Sequence, residues 1–225
     1  QMVDRGHLSY DAPIADVWPE FAGQGKEKIT LRQGLNHSAG LSFMPDGIGV
    51  FDLGDWDRMC AAVAGLRPAT TPGLQAEYHA ITFGWIVGEP ACRVSGRTFS
   101  QLLSEQISGP LGLDGMYVGI PDEVESRVAI LEESNPLPQG QAGEPAAVPA
   151  WLGPLHDFMN RPEARRACLP ASSGIMNARS IARHYAALLP GGVDGVELLS
   201  PGCLSEVLRP QGLRNRDGAE SPWAL

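Results

Sequence analysis

Lysine is nearly missing from this chain: only Lys26 and Lys28 carry an ammonium group, and Asp plus Glu outnumber Lys plus Arg 26 to 17. Phosphate backbones are held by clustered basic side chains, so a formal net charge of −9 sets nucleic acid aside as a partner. Cysteine is sparse too. Cys60, Cys92, Cys168 and Cys203 lie far apart with no C-x-x-C pair, which argues against a zinc site or a disulfide framework. The histidines are equally scattered, so no metal is expected. No apolar run approaches the ~18 residues of a membrane-spanning helix, and no basic-then-apolar leader is visible. What is plentiful is core material, 43% hydrophobic residues, enough for a sizeable globular interior. The first residue is Gln1, inside an amphipathic pattern, and "ESPWAL" at the other end stops where an apolar segment starts. The expectation is a domain cut at both ends.

Local signals organise the rest. "QMVDRGHL" reads as the last turns of a helix closed by Gly6, where glycine accepts the left-handed backbone of a helix C-terminus. Thr30 with Gln33, and Thr98 with Gln101, have the spacing of capping boxes. Asp55 is a candidate N-cap for a helix with an apolar stripe through Trp56, Met59, Cys60 and Val63, stopping at Pro68. "YHAITFGWIVGEPACRVSG" predicts a buried helix beginning near Tyr78 and ending at Gly96, with a kink or break at Pro90 because proline lacks the N–H. A short extended piece is expected near Met116 to Ile120, and a long Pro/Gly-rich loop over residues 135–154. "NARSIARHYAALLPGG" predicts a helix closed by Pro190 and Gly191. Ser200 followed by Pro201 predicts the start of another. Arg165 and Arg166 read as a solvated helix face. Helices dominate and strands are few.

Five stretches in order, "MVDRGHLSYDAPIADVWPEF", "ITLRQGLNHSAGL", "TTPGLQAEYHAITFGWIVGE", "GRTFSQLLSEQISGPLGLDGMYVGIP" and "LPASSGIMNARSIARHYAALLPGGVDGVELLSP", resemble the serine β-lactamase-like hydrolases. That family groups class C β-lactamases, D-alanyl-D-alanine peptidases of the penicillin-binding-protein type and related esterases. The resemblance implies an α+β, β-lactamase/transpeptidase-like fold over residues 1–225, here mainly its helical portion with most of the antiparallel sheet missing. It implies no organic cofactor. The family's S-x-x-K, which supplies the nucleophilic serine and the lysine that takes its proton, does not occur: Gly23 and Gly25 stand three residues before the two lysines. A K-T-G-type strand is absent too, and so is the G-x-S-x-G elbow of another hydrolase class.

The family's Y-x-N tyrosine falls on Tyr78. A phenol with an ordinary pKa near 10 is a poor base at neutral pH, but a neighbouring ammonium favours the phenolate and lets it relay a proton. Tyr78 has a second reading, as a core-edge aromatic whose hydroxyl is satisfied by backbone. Ala80 stands where the motif has asparagine, so the amide donor is lost. That departure favours an esterase-like or peptidase-like activity over β-lactam hydrolysis. His79 is expected in a helix's first turn, outside the chemistry. His37 and Ser38 resemble part of the family's H-T-S-G-L turn beside the cleft, and Ser172 and Ser173 are candidates for a second cleft-lining loop, or simply a loop entering the next helix. The sequence therefore points to part of a serine hydrolase acting on a small-molecule ester, amide, lactam or peptide through an acyl-serine, with the isolated chain expected to be inactive. The alternative is a pseudoenzyme that uses the same cleft to bind a ligand or a protein.

Overall fold

The computed structural model describes residues 1–134, 148–215 and 217–221. Among the described residues, eight short-to-medium α-helices and a two-stranded sheet make up most of the regular structure, with 3-10 turns and one π-helical turn, Ser104–Ser108, between them. The helices are α1 (Leu31–Leu35), α2 (Trp56–Gly65), α3 (Phe83–Ser95), α4 (Phe99–Leu103), α5 (Leu155–Met159), α6 (Pro162–Arg166), α7 (Ala178–Leu188) and α8 (Pro201–Val207). Strands β1 (Met116–Val118) and β2 (Gly174–Met176) pair antiparallel, with Tyr117 opposite Ile175. The chain is helix-rich, and its small sheet joins segments almost sixty residues apart in sequence.

The caps form as the spacing predicts. Thr30 accepts from the Gln33 amide while the Gln33 side chain accepts from the Thr30 N–H at 3.0 Å, and Thr98 and Gln101 repeat the exchange. Asp55 accepts from the Arg58 N–H, and Ser200 from the Cys203 N–H ahead of Pro201. At the amino end, Gly6 has φ +76°, its N–H donates to the Val3 carbonyl, and the His7 N–H donates to Met2. These two bonds make a Schellman close, the geometry that favours glycine.

Helix α3 is the central support. Its Trp85 and Ile86 are fully buried, each contributing about 1.5–3 kcal/mol. α1 lies close on it because Gly34 has no side chain: a Cβ there would stand 3.0 Å from Ile86. α2 and the 3-10 segment Pro19–Gly25 cover the other side through Met59, Val63, Trp18 and Phe21. Lys26 ends inside this core. Its Nζ donates to the carbonyls of Gly23 (2.7 Å), Ala64 (2.8 Å) and Leu66 (2.5 Å), so all three N–H groups are used. Burial pulls the Lys26 pKa down, and the nearby Glu27 opposes that shift.

Three expectations change. α3 begins at Phe83, not near Tyr78: the Glu77 carbonyl, which would accept the first bond of a helix starting at Tyr78, takes the His79 Nδ1–H instead, and the Glu77 and His79 N–H groups are bonded across to His37. Pro90 does not break α3, which runs unbroken to Ser95 and ends at Gly96 with φ +65°. Buried neighbours along one face, Trp85, Ile86, Gly88 and Glu89, hold the helix through the missing N–H. Arg165 is not solvated: it is buried, and its guanidinium meets Glu125 at 2.6 Å. Arg166, by contrast, sits at the surface against Asp122. Most of the predicted loop at 135–154 lies outside the described residues; its end forms a 3-10 turn, Ala150–Leu152, leading to α5.

Candidate active site

Two loops meet in front of α3. The first, residues 36–42, follows α1; the second, residues 73–82, leads into α3. Backbone bonds join them: the Gly73 N–H donates to the Ser38 carbonyl at 2.8 Å and the Glu77 N–H to His37 at 2.9 Å. The Thr82 hydroxyl donates to the Leu41 carbonyl at 2.7 Å, and the Ser42 hydroxyl to the Glu77 carboxylate at 3.2 Å. The turn at Gly40 requires glycine, since φ is +73° and a Cβ would lie 2.7 Å from the Thr70 carbonyl.

Two histidines lie at the centre of the junction. The His79 Nδ1 stands 2.5 Å from the Glu77 carbonyl, which can only accept, so Nδ1 carries the proton. Nε2 of His79 in turn accepts from the Leu41 N–H at 2.9 Å. The His79 backbone N–H donates to Nδ1 of His37 at 3.2 Å, which places the His37 proton on Nε2 in the neutral ring. Burial lowers both pKa values to about 4; for His79 the neighbouring His37 adds to the drop and the bond to Glu77 opposes it.

Tyr78 projects from this base. Its side chain is 47% exposed while His79 is 0%, Ala80 6% and His37 8% exposed. The His37 ring meets the Tyr78 ring edge-on at 5.1 Å between centroids, and on its other contacts lies 4.8 Å from Phe83 and 5.6 Å from His79. His37 itself has φ +61°, a left-handed conformation that among non-glycine residues is adopted chiefly by asparagine, aspartate and histidine. The arrangement presents one phenol from a backing of buried, neutral, hydrogen-bonded side chains.

The other candidates are placed unequally. Ser38 is buried beside His37, and its hydroxyl is engaged with the Asn36 side chain at 2.7 Å. Ser173 is buried and structural: it accepts from the Leu169 N–H at 3.1 Å and donates within the turn to Ala167 or Leu169. Ser172 is exposed on that same turn. The turn packs under the first turn of α3, where a Cβ on Gly84 would come within 2.9 Å of the Ala171 nitrogen. Sequence reasoning did not find His79 as a member of the site. The signal was present as a second histidine 42 residues after His37, but only the folded loops bring the two together. Among the described residues, no group of three His, Cys, Asp or Glu is arranged to hold a metal ion.

Residues 1–217 match the family described as Beta-lactamase. The chain is 34% identical over 218 residues to the esterase/beta-lactamase LipL of Mycobacterium tuberculosis, covering 89% of this chain and 49% of LipL. Among solved structures it is similar to a family VIII carboxylesterase, at 32% identity and TM-score 0.84, covering 99% of this chain and 61% of that one. It is also similar to a penicillin-binding protein homologue from Caulobacter crescentus, at 37% identity and TM-score 0.81, covering 97% and 59%. The chain spans about half the length of the curated relatives it matches.

Proposed function

The chain belongs to the beta-lactamase family, with esterase-like and penicillin-binding-protein-like relatives, and from that footing we propose that it is the helical part of a serine hydrolase acting on ester or amide bonds. In this reading residues 1–225 are a partial domain, and the nucleophilic serine and its lysine come from polypeptide outside them. Tyr78 is the proton-transfer group. The serine oxygen attacks the substrate carbonyl and its proton passes to the lysine–tyrosine pair; Tyr78 then protonates the leaving alkoxide or amine, and water releases the acyl group from the serine. Backbone N–H groups hold the oxyanion.

The single observation that supports the reading is the contrast at Tyr78: a half-exposed phenol directly followed by the buried His79 and Ala80, with its neighbours Glu77 and His79 bonded to a facing loop. A core-edge tyrosine needs no such backing. Ala80 supports esterase-like or peptidase-like chemistry over β-lactam hydrolysis, because it is buried and offers no amide to a lactam substrate. The isolated chain is inactive in this reading. The test is to assay the full-length polypeptide with a short-chain aryl ester, a D-amino-acid peptide and a chromogenic cephalosporin, and to trap the acyl-enzyme by mass spectrometry. Ester or peptide turnover with an acylated serine supports the proposal. Binding of these compounds with no turnover of any of them overturns it in favour of the pseudoenzyme.

A further inference from the structure

We propose that His79 and His37 form a positioning pair for Tyr78, two neutral imidazoles that latch the Tyr78 loop to the 36–42 loop and hold the phenol at a fixed angle. The inference rests on Tyr78 being the proton-transfer group; the latch itself rests on geometry alone.

Each imidazole spends its polar atoms on a different task. His79 donates from Nδ1 to Glu77, one residue before Tyr78, and accepts at Nε2 from Leu41 in the opposite loop. One ring therefore ties the backbone immediately before Tyr78 to the other loop. His37 accepts the His79 N–H, immediately after Tyr78, from the same opposite loop. Tyr78 is thus held on both sides, and its ring rests edge-on against His37 at 5.1 Å. A phenol that relays a proton must keep its oxygen within about 3 Å of both partners, so restraint of the backbone on either side acts on the rate and not on substrate affinity. Neither imidazole is asked to take up or give a proton in the reaction. His79 is 0% exposed, with both ring nitrogens engaged, and cannot reach a substrate.

The latch requires specific tautomers. His79 must be the Nδ1–H form, the reverse of the form that free imidazoles of histidine favour, and His37 the Nε2–H form. Long-range proton–nitrogen spectra of protein labelled with 15N at histidine read this directly. The expected result at pH 7 is one Nδ1–H ring assigned to His79 and one Nε2–H ring assigned to His37. Finding His79 as Nε2–H overturns the latch, whether or not the protein has any hydrolytic activity.

The positioning role is read in full-length protein with an aryl ester. His79→Phe fills the space but accepts nothing from Leu41, whereas His79→Gln restores an acceptor near the Nε2 position. The expected pattern is a kcat lower by roughly 10- to 100-fold in His79→Phe with KM within about twofold, and partial recovery in His79→Gln. Should His79→Phe fail to fold, His37→Phe carries the same expectation, since it keeps a ring against Tyr78 and removes the acceptor of the His79 N–H. A folded variant of either kind with wild-type kcat overturns the proposal. Absence of turnover in the wild type, with both tautomers as expected, counts against the hydrolase reading and leaves the latch standing.

Discussion

The Leu41 N–H donates to Nε2 of His79 at 2.9 Å, across 38 residues of sequence, and both groups are buried. That bond is one of several that tie the tyrosine loop to residues 37–42, together with those of Gly73, Glu77, the His79 N–H and Thr82. The result is an ordered non-helical segment with a phenol at its crest.

Removing one hydroxyl from that crest separates chemistry from folding. Tyr78→Phe keeps the ring against His37 and touches a half-exposed position, so the loss of stability is expected to stay within the worth of one hydrogen bond, about 1.5 kcal/mol. Aryl-ester turnover by the full-length polypeptide is expected to fall by ~10²- to 10⁴-fold. Thermal unfolding and steady-state kinetics on the same preparations check both halves. An undiminished kcat excludes a proton-transfer role.

Acid should weaken the junction in a defined window. His37 and His79 have folded-state pKa values near 4, below the ordinary histidine value of 6.5. The unfolded chain therefore binds more protons between these limits, and the stability associated with neutral rings is complete above pH 6.5 and lost as pH falls toward 4. Each ring contributes a slope of about 1.4 kcal/mol per pH unit inside the window. Urea midpoints measured from pH 7.5 to pH 4 should drop, and His79→Gln should flatten part of the drop. A wild-type profile with no slope between pH 6.5 and 4 removes the buried-neutral assignment.

Lys26 is expected to matter for folding alone. Lys26→Met keeps the aliphatic stem but leaves the carbonyls of Ala64 and Leu66 without the ammonium donor, while the Gly23 carbonyl keeps the backbone N–H of residue 26. With about 1–3 kcal/mol for each buried polar group stranded, a loss of ~2 kcal/mol or more is expected in denaturant unfolding. The kcat of the folded fraction should be unchanged. A selective fall in kcat at unchanged stability would contradict the structural assignment.

Two glycines make a paired control. Gly40→Ala adds a Cβ 2.7 Å from the Thr70 carbonyl at a position with φ +73°, so a cost of roughly 1–3 kcal/mol is expected. Gly65→Ala, the last residue of α2, meets nothing within 4 Å and has no left-handed backbone, so a gain of ~0.4–1 kcal/mol is expected. Melting temperatures of the two variants should move in opposite directions. Equal shifts would mean that the close approach at Gly40 relaxes freely.

The caps at Thr30, Asp55, Thr98 and Ser200, the Schellman close at Gly6 and the stop at Gly96 were legible because each depends on atoms within a few residues. The start of α3 was not legible, because the bonds that hold residues 77–82 as a loop run to a segment some 40 residues earlier. Strand β2 is three residues long and becomes a strand only where Met116–Val118 lies beside it. Arg165 read as a surface residue until Glu125, 40 positions away, met it in the interior.

By itself the sequence determined the family, the caps, the helix-rich composition and the presence of a tyrosine without an S-x-x-K. Only the tertiary structure decided that Lys26 is a core hydrogen-bond donor, that Ser173 is a turn staple, and that His79, silent in the motif, ties down the residues on both sides of Tyr78. The reason is one of range: caps and turns are settled by bonds within a few residues, whereas the tautomer, burial and charge of a side chain are set by whichever distant groups the fold brings to it.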